Sequence, residues 1–139
     1  MMNYIKDDFG DSLNKEKQLD LCKKLTEYRM DAKEIVKNYY ACFNAKDWNG
    51  MLALVSPEVR HEANQGGVYI GKEKFAAFVK RMEECYDEQL KEMVIMGEGD
   101  RVAAEFVVHG VYKLAEEGLP VANNQKYVLP AGAFLEIGR

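Results

Sequence analysis

The sequence predicts an α+β domain, with helices packed on one face of a curved antiparallel sheet. Two observations carry this. Apolar residues in the first part recur at spacings of three and four, while the last third alternates in strand-length runs separated by Gly-, Pro- and Asn-rich breaks. Helices therefore lead and strands follow, a segregation that favours α+β over an alternating parallel architecture. A chain of 139 residues is one domain's worth, long enough to bury about two-thirds of the surface its unfolded form exposes.

The first twelve residues show no period. From Leu13 the stripe Leu21, Leu25, Tyr28, Ala32, Ile35, Tyr39 and Cys42 marks one helical face. Asp31 followed by Glu34 resembles a capping box, so a break falls near residues 29–31 and a helix runs from there to about Ala45. Residues 1–30 are accordingly read as a partly helical N-terminal extension and 31–139 as the domain proper. DWNGMLALVSP reads as a short helix capped by Asp47 and stopped by Pro57. VRHEAN is strand-like, and NQGG, with Gly66 and Gly67 free to take positive φ, turns the chain back through VYI. Gly71 opens an amphipathic helix, KEKFAAFVKRMEECYDEQ, whose apolar stripe is Phe75, Phe78, Val79, Met82, Cys85 and Tyr86. Three strands follow: KEMVIMGEGD, RVAAEFVVHGVYKL and QKYVLPAGAFLEI, expected to pair consecutively and antiparallel.

Composition narrows the function classes. With 47% apolar and 30% charged residues the chain is ordinary for a soluble globular protein, and no apolar run nears the ~20 residues of a membrane helix. The N-terminus lacks a secretory pattern, so a cytoplasmic location is expected. A net charge of -4 with interleaved signs leaves no footprint for nucleic acid. Cys22, Cys42 and Cys85 lack zinc spacing and are read as free thiols, and no metal or nucleotide motif occurs, so no cofactor is expected.

The run VKNYYACFNAKDWNGMLALVSPEVRHEANQGG, with the later EFVV, GLP and LPAGAF pieces, resembles the ketosteroid isomerase-related and SnoaL-like proteins of the nuclear transport factor two-like superfamily. The resemblance covers most of residues 31–139. It implies a cone-shaped curved antiparallel sheet around a long N-terminal helix and two further helices, enclosing an apolar cavity. It also implies one more strand beyond Ile137, so the final strand is expected to be missing here, or supplied by another segment or copy.

For chemistry, the resemblance implies a tyrosine on the long helix, an Asp base on the first strand and a protonated Asp on a late strand. The tyrosine falls on Tyr39. The base position falls on Ala63 and the acid position at or beside Ala133, so the steroid-isomerase mechanism does not carry over as such. His61 shares the strand face of Ala63, ~6.5–7 Å along, and is the expected replacement base, with an unperturbed pKa of about 6.5. Two readings stand side by side: His61 and Tyr39 as base and oxyanion donor, or as a satisfied strand-end histidine and a core tyrosine. Asn64 and Gln65 orient a ligand at the cavity mouth or simply form the turn. Tyr69, Tyr86 and Tyr127 are expected ligand-binding residues of the cavity wall, and Glu62 pairs with Arg60 or Lys72.

On RVAAEFVVHGVY the face of Val102, Ala104, Phe106, Val108 and Tyr112 belongs in the core, leaving Glu105 and His109 outside with Val107 and Val111. That half-apolar outer face is expected to form a homodimer. The functional expectation is a cofactor-independent acid/base enzyme, isomerase- or cyclase-like, acting on a small apolar carbonyl compound. The alternatives are a non-catalytic ligand-binding module and a dimerisation module of the same fold.

Overall fold

The long helix α1 spans Ala32–Asn44 and buries Ala32, Val36 and Tyr40, which stand four apart and so stack on one face. The expected stripe through Ile35, Tyr39 and Cys42 is only half-buried. It forms the flank of a wider apolar face, and the deepest line is rotated toward Val36. The computed structural model describes residues 17, 31–64 and 67–138. Expectations resting on Leu21, Cys22, Leu25 and Tyr28, and on Gln65 and Gly66, lie outside the described residues.

After α1 the chain turns at Lys46, which takes positive φ, into the short helix α2, Trp48–Ala53. Asp47 Oδ1 accepts from the Gly50 amide at 2.9 Å, the N-cap expected from sequence. Strands β1 (Arg60–Ala63) and β2 (Gly67–Ile70) form an antiparallel hairpin in which His61 faces Tyr69. Gly71, at φ 94, leads into α3, Lys72–Cys85.

Helix α3 ends four residues before the expected boundary. Tyr86 to Gln89 begin the strand β3, Tyr86–Glu98, with no loop between. The stretch YDEQ is polar enough to read as a helix tail, yet it alternates: Tyr86 and Glu88 are half-buried while Asp87 and Gln89 are exposed. Strand β3 pairs with β4 (Arg101–Tyr112), and β4 with β5 (Gln125–Glu136), antiparallel and consecutive as expected. Among the described residues, then, three helices and two antiparallel sheets form an α+β architecture in which the two sheets do not close on each other. On β4 the face of Val102, Ala104, Phe106, Val108 and Tyr112 is buried and Glu105 is exposed, so the face assignment holds.

Two cores result. One packs Ala32, Val36 and Tyr40 of α1 on Leu90, Val102, Ala104, Phe106 and Val108 of the sheet. The other joins Met51, Phe75 and Val79. Full burial of a side chain such as Val36 or Met51 contributes about 1.5–3 kcal/mol. Tyr39 and Phe43 pack against both cores, so α1 is their common wall.

The end of α1 is pinned to β3 by backbone mimicry. Asn44 donates through Nδ2 to the Leu90 carbonyl and accepts through Oδ1 from the Leu90 amide, each at 2.9 Å. This satisfies Leu90 just before the register of β3 against β4 shifts, between Lys91 and Val94, where Glu92 takes positive φ. A bulge of this kind bends the strand. Leaving such part-buried groups unpaired costs about 1–3 kcal/mol each, so Asn44 fixes where the sheet bends relative to the helix.

Candidate functional site

Where the two cores meet, a pocket of about 120 Å³ opens between α1, α2, β1, α3 and the start of β3. Its apolar wall includes Phe43, Trp48, Met51, Phe75, Phe78 and Val79. Tyr39, His61, Tyr86 and Glu88 also line it, so the two residues expected to carry chemistry share one cavity.

Each is brought there by its element. Tyr39 lies on the flank of α1 where both cores meet, packed against the sheet core and the second core alike. Its ring meets Tyr40 edge to face at 5.0 Å. Burial, with the Tyr40 phenol as a smaller cause, pushes the Tyr39 hydroxyl far above the ordinary phenol range, so it stays protonated and able to donate. Burial likewise pushes Tyr40 up to about 12.

His61 points inward because β1 alternates and Arg60 and Glu62 take the outer side, paired with each other at 2.7 Å. Three rings surround the imidazole, with centroids at 4.7 Å for Phe78, 5.1 Å for Phe75 and 5.9 Å for Tyr69. Burial lowers its pKa below the usual 6.5, because this apolar cage solvates the imidazolium poorly. Nδ1 is buried without a hydrogen-bond partner. Trp48 Nε1, on another wall of the pocket, is in the same condition. Two polar atoms left unsatisfied among the residues that wall one cavity are costly to the fold.

Of the other expected ligand residues, Tyr86 lines the pocket. Tyr69 stacks on His61 from behind, and its hydroxyl accepts from Arg81 Nη2 at 3.2 Å. Tyr127 lines a second, open hollow of about 290 Å³ with Tyr86, Tyr112, Leu119, Pro120 and Gln125. Asn64 is exposed and not part of the pocket wall, and Gln65 lies outside the described residues. Ala63 follows His61 on the inward face as a bare methyl, and Ala133 pairs with Ala104 in the sheet. No carboxylate stands at either position where the resemblance implies one.

Three charged pocket residues were not expected from sequence: Lys46, Glu83 and Glu88. Lys46 places its ammonium 5.4 Å from the Phe43 ring centroid and 5.7 Å from that of Trp48, donates to the Glu88 backbone carbonyl, and pairs with Asp87 at 3.2 Å. Glu88 brings a carboxylate, and the helix reading of YDEQ had hidden it. The detectable signal was the alternation Tyr86, Glu88, Leu90 against Asp87 and Gln89.

The model of the SnoaL-like domain matches residues 36–139. The chain belongs to the SnoaL-like domain family. It is 53% identical to a candidate polyketide cyclase of Pseudomonas putida, with TM-score 0.77, over 78% of this chain and 84% of that one. A candidate polyketide cyclase of Xanthomonas campestris is 49% identical, with TM-score 0.74, over 77% of this chain and 81% of that one. An NTF2-like protein of Burkholderia xenovorans, 18% identical with TM-score 0.61 over 78% and 80% of the two chains, shares the fold. No curated protein matches the chain. Among the described residues no helix of this SnoaL-like protein is long and apolar enough to cross a membrane.

The depressed pKa of His61 has a thermodynamic signature. A group whose folded pKa lies below its unfolded value stabilises the fold above the unfolded value, about 6.5, and loses that contribution as pH falls through the folded pKa. The unfolding free energy of the wild-type protein, measured by urea denaturation, is therefore expected to fall more steeply below pH 6.5 than that of His61→Phe. Parallel pH curves for the two proteins would contradict the buried, neutral imidazole.

Proposed function

We propose that this SnoaL-like domain is a proton-transfer enzyme, isomerase- or cyclase-like, for a small and mostly apolar carbonyl compound. The observation that carries the reading is the shared pocket of His61 and Tyr39, walled by aromatic and aliphatic side chains. The substrate's carbonyl oxygen accepts from Tyr39, whose proton is retained because its phenolate is so poorly solvated. His61, held neutral by the same desolvation, takes a proton from the carbon beside that carbonyl. The electron pair of the broken C–H bond enters the enolate, and charge collects on the oxygen hydrogen-bonded to Tyr39. Such an arrangement uses preorganised donors in a water-poor site, where they act most strongly. The likeness to candidate polyketide cyclases supports the same class of chemistry, since cyclisation of a polyketide also begins with a carbanion beside a carbonyl. The pocket is smaller than the ~300 Å³ and above of drug-sized sites, which favours a compact substrate.

A non-catalytic ligand-binding module is the second reading, favoured by the bare methyl groups at Ala63 and Ala133. The two are separated by cyclohexanone in D₂O, whose α-hydrogen exchange is followed by proton NMR. The enzyme reading expects exchange above the buffer rate and a loss of about 100-fold in His61→Ala, the low end of the range for a general base. Thermal stabilisation by the ketone without any exchange supports the binding module instead.

The proposed homodimer uses the outer face of β3–β5. Met96, Ala103 and Phe134 form one cross-strand row there, and Phe134 is 95% exposed, with Val128 farther along the same strand at 63%. A large apolar face in water is the mark of an interface. Sedimentation equilibrium is expected to show a dimer that Phe134→Glu converts to monomer, while a wild-type monomer at 100 μM or so would rule the interface out.

A further inference from the structure

Glu88 sits on the inner face of β3, half-buried, in the wall of the pocket that holds His61 and Tyr39. A row across the sheet fixes it: Glu88 pairs with Gly110 of β4, and Gly110 pairs with Tyr127 of β5. The Tyr127 ring lies directly over that glycine. A Cβ at position 110 would stand 2.1 Å from Tyr127 Cζ and 2.3 Å from its hydroxyl oxygen, so any side chain there displaces the ring. Glycine within a paired strand forgoes packing and so weakens the strand relative to alanine. Here its absence of a side chain lets a phenol from β5 cross β4 and donate to Glu88 Oε1 on β3.

Among the described residues no cation pairs with the carboxylate. Lys46, the lysine of the pocket wall, directs its ammonium to the Glu88 backbone carbonyl and to Asp87. Among the described residues Tyr127 is the one hydrogen-bond partner of the Glu88 side chain, and no ion pair reaches it. Half-burying a carboxylate with a single hydroxyl donor works against stability. A carboxylate held in a cavity wall by a dedicated cross-strand device is what proton abstraction requires.

We propose that Glu88 is a second proton acceptor of this pocket and that Tyr127 is the positioning residue that aims it. The inference rests on the carbonyl-compound reading above and adds a catalytic residue to it. With the substrate oxygen at Tyr39, a C–H bond beside the carbonyl breaks and its proton passes to Glu88 Oε2. The bonding pair becomes the enolate C=C, and the carbonyl π pair moves onto oxygen. The protonated carboxyl exchanges its proton with solvent and delivers one back to carbon, a deuteron in D₂O, and the protein ends as it began. β1 carries the imidazole and β3 the carboxylate, so the pocket holds acceptors on two separate walls.

The test uses cyclohexanone exchange in D₂O with the full chain, and circular dichroism to confirm folding. In His61→Ala, where Glu88 is the acceptor that remains, Glu88→Gln is expected to lower the residual protein-catalysed rate at least tenfold, Glu88→Asp to keep part of it, and Tyr127→Phe to lower it about threefold, whereas Glu98→Gln at the exposed end of β3 leaves it unchanged. A folded His61→Ala/Glu88→Gln protein exchanging as fast as His61→Ala overturns the role of Glu88 alone. Loss in Glu88→Gln alone with retention in His61→Ala supports Glu88 and removes His61 as base. No exchange by wild-type protein overturns both. Should the double variant not fold, Tyr127→Phe in His61→Ala decides, and an unchanged residual rate there overturns the proposal.

Discussion

One helix serves two cores, and the rest of the site depends on it. α1 has to bury Val36 and Tyr40 against the sheet, and the same rotation leaves Tyr39 and Phe43 at the junction with the second cluster. Two packed clusters that share a wall but are roofed by different elements leave a gap where their surfaces diverge. The pocket is that gap. Asn44 ties the helix end to the bend of β3, because its side-chain amide replaces a strand partner for Leu90.

The electrostatics follow from the packing rather than from nearby charge. Tyr39 is held protonated and His61 neutral mainly by the same cause, loss of water around a group that would otherwise ionise. A phenol that keeps its proton and an imidazole that lacks one are the two states needed for an oxygen donor and a carbon base. Glu88 differs in kind. It is held by geometry, through a hydroxyl that reaches it only because Gly110 leaves the way open. The chemistry of the site therefore draws on both cores and on all three long strands.

How much of this was legible in the sequence varies from element to element. The Asp47 cap, the hairpin of β1 and β2 and the inner face of β4 could be read directly, because each depends on local turn chemistry or strict alternation. His61 and Tyr39 could be placed on suitable faces, and Ala63 and Ala133 could be recognised as lacking carboxylates. The exact rotation of α1 could not, since a broad apolar face has no single stripe and only the partner sheet chooses its deepest line. Glu88 was hidden because a helix that passes into a strand without a loop gives no punctuation, and polar YDEQ suits either period. Gly110 carried a signal that becomes readable only with the register: a glycine inside an otherwise unbroken apolar strand, opposite a tyrosine on one side and a glutamate on the other.

The central claim is that the phenol of Tyr39 and the imidazole of His61 look into one cavity that admits a small carbonyl compound. Intermolecular nuclear Overhauser effects from bound cyclohexanone to the aromatic protons of both rings measure this directly. Cross-peaks to Tyr39 and His61 together are expected in the wild-type protein. Cross-peaks to neither ring, or only to Phe134 on the outer sheet face, would contradict it.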